Sequence, residues 1–256
     1  MMKDIYAFFL DIDGTLCSGG KVPAVNTEAI EKARKLGHKF FIDTARSLGH
    51  IPPAVTALGL DGYVAGIGCT VVVEGKKILS ENIPIGVIAE LFDYFTDSGR
   101  KFMLEGEEIT VVNKHFENPD GKYIFVESGK ELIENFGSQV LAKAYIPHIL
   151  SAEEQKNLDE RFMFFQHPDY AEFSKKGFSK ATGMQKVLDY YGIDRSHCVA
   201  MGDSANDLDM LRYAGISVAM GNSSKEVKDS CDIVTCDNDK GGVSEGIIRI
   251  LGNIFP

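Results

Sequence analysis

The chain has 256 residues, with 27 Lys and Arg against 37 Asp and Glu for a formal net charge of −10, and 44% of it is hydrophobic. That acidity argues against a nucleic-acid partner, and no apolar run approaches the ~18 residues of a membrane span. The length suits one large or two modest domains that need no disulfide or metal staple to fold.

Residues 5–10, IYAFFL, are apolar on both faces and run straight into Asp11, the pattern of a central parallel strand. A polar loop, GTLCSGGKVP, leads to an amphipathic stretch at 26–36 that predicts a helix capped by Asn26 or Thr27 and stopped at Gly37. KFFID at 39–43 predicts a second strand ending at Thr44. A short helix at 51–58 follows, with Pro52 and Pro53 near its start. YVAG and TVVVEGKKILSENI predict a strand and then a hairpin turning at Gly75. The order strand, helix, strand, helix implies a doubly wound sheet.

Residues 84–175 read differently. Amphipathic helices are predicted near 84–97, 129–136 and 152–160, among the short strands KFMLE, ITVV, KYIFVE and RFMFF. This segment holds 9 Lys and Arg against 17 Asp and Glu, so it carries −8 of the total charge, and 14 of the 25 Phe and Tyr, most of which should form its core. Beyond it the first grammar resumes: a helix at about 180–191, strand HCVAM, a helix from Asn206 to Tyr213, strand ISVAM, a helix capped by Ser223 and Glu226, and strand CDIVT. The predicted architecture is a doubly wound, Rossmann-like α/β core from residues 1–83 and 176–256 with an inserted α+β domain at 84–175.

Ligands of open α/β sheets bind beyond the carboxyl ends of the strands, and the acids stand there. Asp11 and Asp13 in DIDGTL follow the first strand, with Gly14 allowing a tight turn; Asp203 and Asp207 in GDSANDLDM follow a later one. A calcium loop of the EF-hand type is excluded, because its required Gly and Glu would fall at Leu16 and Val22. Acids gathered at one sheet edge call for a cation, and Mg²⁺ suits carboxylates plus a phosphate oxygen. A phosphate needs donors, which Thr44 and Lys180 could supply.

In this order the motifs resemble the haloacid dehalogenase superfamily of phosphatases across nearly the whole chain. DIDGTL is similar to its first motif, IDTARS to its second, Lys180 matches the third and GDSANDLDM the fourth. GDSANDLDML with VAMGNSSKEVK downstream, and an insert after the second motif, resemble the Cof-type branch with a type IIB cap. The resemblance implies Asp11 as nucleophile, Asp13 as acid and base, and Thr44 and Lys180 as catalytic phosphate ligands. It further implies Asn206 at the phosphate, Arg46 at the substrate, and Mg²⁺ on Asp11, the main-chain carbonyl of Asp13 and Asp203, supported by Asp207. Ala45 stands where many relatives have Gly, and Gly68 where many have Asn, which bears on the shape of the pocket and on what Asp43 and Arg46 touch.

The expected activity is hydrolysis of small phosphorylated metabolites, sugar or polyol phosphates first, with the insert as a lid that sets specificity. The alternatives are a phosphomutase of the same superfamily and a non-enzymatic phospho-aspartate signalling module. Five cysteines, Cys17, Cys69, Cys198, Cys231 and Cys236, contain no CxxC pair and predict buried thiols. With a start that lacks a signal-peptide cleavage site, this places the expected protein in the cytoplasm.

Overall fold

The computed structural model of the protein describes residues 5–117 and 121–252. The chain divides into two compact units, one from segments 1–45, 51–78 and 179–256 and the other from segments 46–50 and 79–178. The first unit opens with β1 (Ala7–Leu10), wholly buried because both of its faces are apolar. It continues with α1 (Ala24–Lys35), β2 (Lys39–Asp43), the single turn α2 (Pro53–Thr56), β3 (Gly62–Ala65) and the hairpin of β4 (Thr70–Val73) and β5 (Lys76–Ser80). Glu74 and Gly75 both take positive φ, 49° and 75°, as a two-residue hairpin turn requires.

The second unit holds α3 (Ile85–Asp97), β6 (Met103–Gly106), β7 (Thr110–Asn113), β8 (Ile124–Val126), α4 (Gly129–Phe136), β9 (Leu141–Ile146), α5 (Ala152–Arg161), β10 (Phe162–Gln166) and β11 (Ala171–Lys175). Its six-stranded sheet runs β10-β11-β9-β6-β7-β8. Side chains alternate between its faces. Leu104, Ala144 and Phe173 lie side by side on one face and join Phe92, Phe95 and Phe102 in a buried apolar cluster. On the other, Lys143 Nζ lies 2.8 Å from Glu172 and 3.7 Å from Glu105.

The chain returns to the first unit through α6 (Lys180–Tyr191), β12 (Cys198–Gly202), α7 (Leu208–Tyr213), β13 (Ile216–Ala219), α8 (Lys225–Asp229), β14 (Ile233–Val234) and α9 (Gly242–Leu251). The eight-stranded sheet runs β14-β13-β12-β1-β2-β3-β4-β5, parallel from β14 to β3 and antiparallel between β3 and β4. From β1 the chain steps one way to β2, and from β12 the other way to β13. Right-handed crossovers therefore put α1 and α7 on opposite faces; α9 packs with α1, and α6 with α7. The reversal falls between β1 and β12, the crevice where a doubly wound sheet binds ligands.

Local chemistry moves several boundaries. Helix α1 starts at Ala24 behind Pro23, so Asn26 is no cap; it is buried, and its Oδ1 accepts from the Ser244 amide at 3.0 Å. Ser224, not Ser223, caps α8 by accepting from the Val227 amide. The expected strand CDIVT keeps only Ile233 and Val234, because the Asp232 carboxylate accepts from the amide and hydroxyl of Ser217. The helix expected from Asn206 begins as a 3₁₀ turn, Ala205–Asp207. Thr15, Leu16 and Cys17 of the expected polar loop are buried.

Candidate active site

Asp11 is the first residue beyond β1, and its amide donates to the Met201 carbonyl of the neighbouring β12 at 3.0 Å. Its side chain is therefore delivered to the crevice by the sheet itself. The following turn folds back on it: the Leu16 amide donates to the Asp11 carbonyl at 3.1 Å and the Cys17 amide to the Ile12 carbonyl at 2.8 Å. Gly14 makes this possible, because its φ is +84° and a Cβ there would lie 2.3 Å from Asp203 Oδ2. Thr15 Oγ1 donates to Asp203 Oδ1 at 2.9 Å.

Lys180 opens α6 behind Ser179, whose hydroxyl accepts from the Thr182 amide. Gly68, at φ +84°, has no room for a Cβ, which would fall 1.9 Å from the Ser179 carbonyl oxygen. That close contact seats the helix start. Lys180 is 1% exposed, and its ammonium lies 2.8 Å from Asp11 Oδ1 and 2.5 Å from Asp207 Oδ1. The other oxygen of Asp207 accepts from the amides of Asp203 and Ser204, both at 3.0 Å, which tightens this turn into a 3₁₀ form.

Carboxylate oxygens of Asp11, Asp203 and Asp207 lie within 4.8 Å of one another. Burial raises the pKa of Asp11 to about 8, against the pull of Lys180 and with a further push from Asp207 and Asp203. Asp203 rises to about 6, chiefly by burial and then by Asp207. Lys180 is held well above the ordinary lysine value, because Asp11 and Asp207 outweigh the cost of its burial. With all three carboxylates ionised, as a bound cation would hold them, they and the one ammonium carry two formal negative charges in a buried pocket of hard oxygen donors. These residues fit Mg²⁺, which takes oxygen ligands and carries the matching charge.

Asp13 stands two residues beyond Asp11 with an exposed side chain, and its carboxylate is not one of the three that converge. Thr44 is buried at the end of β2, its amide donating to Val64 and its carbonyl accepting from Ile67. Asn206 Oδ1 accepts from the Ser204 hydroxyl at 2.7 Å. Arg46 belongs to the second unit, where its guanidinium donates to the His50 carbonyl at 3.3 Å. Asp43 is wholly buried, and among the described residues neither of its oxygens has a hydrogen-bond partner. Burial drives its pKa well above the usual range; Lys180 opposes this, while Asp209, Asp207 and Asp11 reinforce it.

Residues 8–247 match the family model of haloacid dehalogenase-like hydrolases. The chain belongs to that family. Among curated relatives of this hydrolase, 5-amino-6-(5-phospho-D-ribitylamino)uracil phosphatase YitU of Bacillus subtilis is 29% identical, over 93% of this chain and 95% of YitU. The solved phosphatase BT1666 of Bacteroides thetaiotaomicron is 28% identical with a TM-score of 0.83, covering 98% of this chain and 96% of its own. The subclass IIB sugar phosphatase BT4131 is 26% identical with a TM-score of 0.82, covering 98% and 100%.

Sequence reasoning passed over three polar residues of this hydrolase's crevice. Thr15 lies within the DIDGTL motif, so its bond to Asp203 was open to inference. Asn222 Nδ2 donates to the Gly14 carbonyl at 2.9 Å and Asn238 Nδ2 to the Cys17 carbonyl at 2.8 Å. Nothing in their spacing marks these two asparagines, because the fold alone brings them to the first loop.

Proposed function

We propose that the protein is a Mg²⁺-dependent phosphatase of small phosphate monoesters, sugar or polyol phosphates foremost, that works through an aspartyl-phosphate on Asp11. The observation that carries this reading is the Asp11 carboxylate, 2.8 Å from the buried Lys180 ammonium and grouped with Asp203 and Asp207 at the switch point of the sheet. Asp11 attacks phosphorus in line, forming a carboxylate O–P bond as the ester O–P bond breaks. Asp13 gives its proton to the departing alkoxide. It then takes a proton from the water that attacks the aspartyl-phosphate, which releases phosphate and restores Asp11.

The Thr44 hydroxyl, the Lys180 ammonium and the Asn206 amide are assigned to the phosphoryl oxygens, and Arg46 to the substrate. Asp11, Asp203 and the Asp13 carbonyl would hold Mg²⁺, with Asp207 supporting both Asp203 and Lys180. When bound, the ion supplies charge neutralisation at the phosphoryl group. The second unit is assigned to specificity, since the named residues of the first unit provide for a phosphoryl group and little else. Relatives named for a sugar phosphatase and for a ribityl phosphate phosphatase support the substrate class.

Phosphate release from a panel of sugar, polyol, cofactor and nucleotide phosphates, with and without Mg²⁺, tests the reading. It predicts turnover of sugar or polyol monophosphates ahead of nucleoside triphosphates. Full turnover after exhaustive chelation would contradict it, as would phosphate transfer between sugar positions without release.

A further inference from the structure

We infer that Asn222 and Asn238 act together as a clamp that positions Asp13 for proton transfer. The inference rests on the assignment of Asp13 as acid and base. Asp13 is exposed, and its carboxyl is two rotatable bonds from the backbone, so the peptides on either side of it fix the point from which the carboxyl reaches out. On one side the Ile12 carbonyl accepts from the Cys17 amide at 2.8 Å; on the other the Gly14 amide reaches the Cys17 carbonyl at 3.3 Å. The second bond is long, and Gly14, at φ +84°, is the most permissive residue in the turn.

The two asparagines reinforce that weaker side. Asn222 Nδ2 donates to the Gly14 carbonyl at 2.9 Å, and Asn238 Nδ2 donates to the Cys17 carbonyl at 2.8 Å, the same oxygen that receives the Gly14 amide. Asn222 Oδ1 in turn accepts from the Asn238 amide at 2.9 Å. Each asparagine thus holds one carbonyl of the turn, and they hold each other. A carboxamide suits 222, since it donates from one atom and accepts on another at once.

Both are carried by well-fixed backbone. Asn222 follows β13, where the Met220 amide donates to the Gly202 carbonyl and the Gly221 amide to the Cys236 carbonyl, at 3.1 and 3.0 Å. Asn238 begins the 3₁₀ turn that precedes α9. The segments pack so closely that a Cβ on Gly221 would lie 2.5 Å from Asp237 Oδ1. The clamp therefore ties the Asp13 turn to two rigid elements of the sheet layer.

The test separates proton transfer from general damage to the site. Asn222→Ala, Asn238→Ala and the double variant are compared with wild type and with Asp13→Asn, in Mg²⁺, on an alkyl phosphate and on an aryl phosphate whose phenol is acidic enough to leave unaided. Loss of either asparagine should lower kcat/KM for the alkyl ester about tenfold while the aryl burst rate stays within about twofold, and the double variant should cost little more than either single one. Asn222→Asp keeps the acceptor for Asn238 but sets a charged oxygen against the Gly14 carbonyl, and it should lower the alkyl rate at least as far as Asn222→Ala. Thermal melting within a few degrees of wild type shows that the variants are folded. Equal losses on both esters, or no loss on either, with the split intact in Asp13→Asn, would overturn the clamp alone. If Asp13→Asn itself shows no split, the assignment of Asp13 fails and the clamp fails with it.

Discussion

Lys180 and Asp11 are 169 positions apart in the chain, yet the ammonium of one meets the carboxylate of the other at 2.8 Å. The contact joins the start of α6 to the end of β1, and it places the Lys180 ammonium between Asp11 and Asp207. Lys180→Met would leave both carboxylates buried without their partner. It should lower stability by about 3–5 kcal/mol and activity by at least about 100-fold, read from urea unfolding and from phosphate release. A variant with wild-type activity would remove Lys180 from the mechanism.

Gly14→Ala tests the turn from the other side. A methyl group there meets Asp203 Oδ2 at 2.3 Å and forces a side chain into a φ of +84°. The left-handed conformation alone costs roughly 1–2 kcal/mol, and displacement of Asp203 should weaken Mg²⁺ binding. A titration of Mg²⁺ against a direct binding signal should show the weakened affinity with the fold retained.

Asp43 gives a prediction with a definite sign. Its folded pKa is raised, first by burial, so it favours the folded state fully below its unfolded value and loses that contribution as pH rises toward the folded one. Asp43→Asn cannot ionise. The difference in Tm, variant minus wild type, should therefore grow more positive from about pH 4 to about pH 8, whatever its value at the acid end. A difference that is flat or falls with pH would show that Asp43 is ionised in the folded protein.

Glu172 behaves in the opposite way. Burial alone would raise its pKa, but Lys143 and His167 override this and hold the carboxyl down at about 2. A depressed folded pKa stabilises above the unfolded value of 4.5 and is lost as pH falls through about 2. Glu172→Gln breaks a buried pair and should cost about 3–5 kcal/mol at neutral pH. The gap to wild type should close between those two pH values, as followed by denaturant unfolding of the second unit.

How far the sequence reveals this depends on where the energy is placed. β1 and the two acid-rich loops are legible because a continuous apolar run ends abruptly at carboxylates, a pattern that local composition produces unaided. Lys180 is legible only through the order of the motifs, because by composition it stands among Lys175 and Lys176 until the fold buries it alone of the three. Strands β9 and β11 escape notice because Lys143 and Glu172 interrupt their apolar pattern, and only their pairing across the sheet makes those charges tolerable. Helix α9 escapes because Gly241, at φ +90°, begins it without a side-chain cap. The asparagines at 222 and 238 act through distant backbone carbonyls, and no local signal reports such a partner.

If Asp11 forms a covalent bond to phosphorus, that bond can be trapped. Asp13→Asn, mixed with an aryl phosphate and Mg²⁺ and quenched in acid, should release a burst of about one phenol per enzyme, because the first step needs no acid and the second lacks its base. Mass spectrometry of the quenched sample should find a phosphoryl group on the peptide that carries Asp11, located at Asp11. A phosphoryl group on any other residue, or undiminished turnover by Asp11→Asn, would show that Asp11 is not the nucleophile.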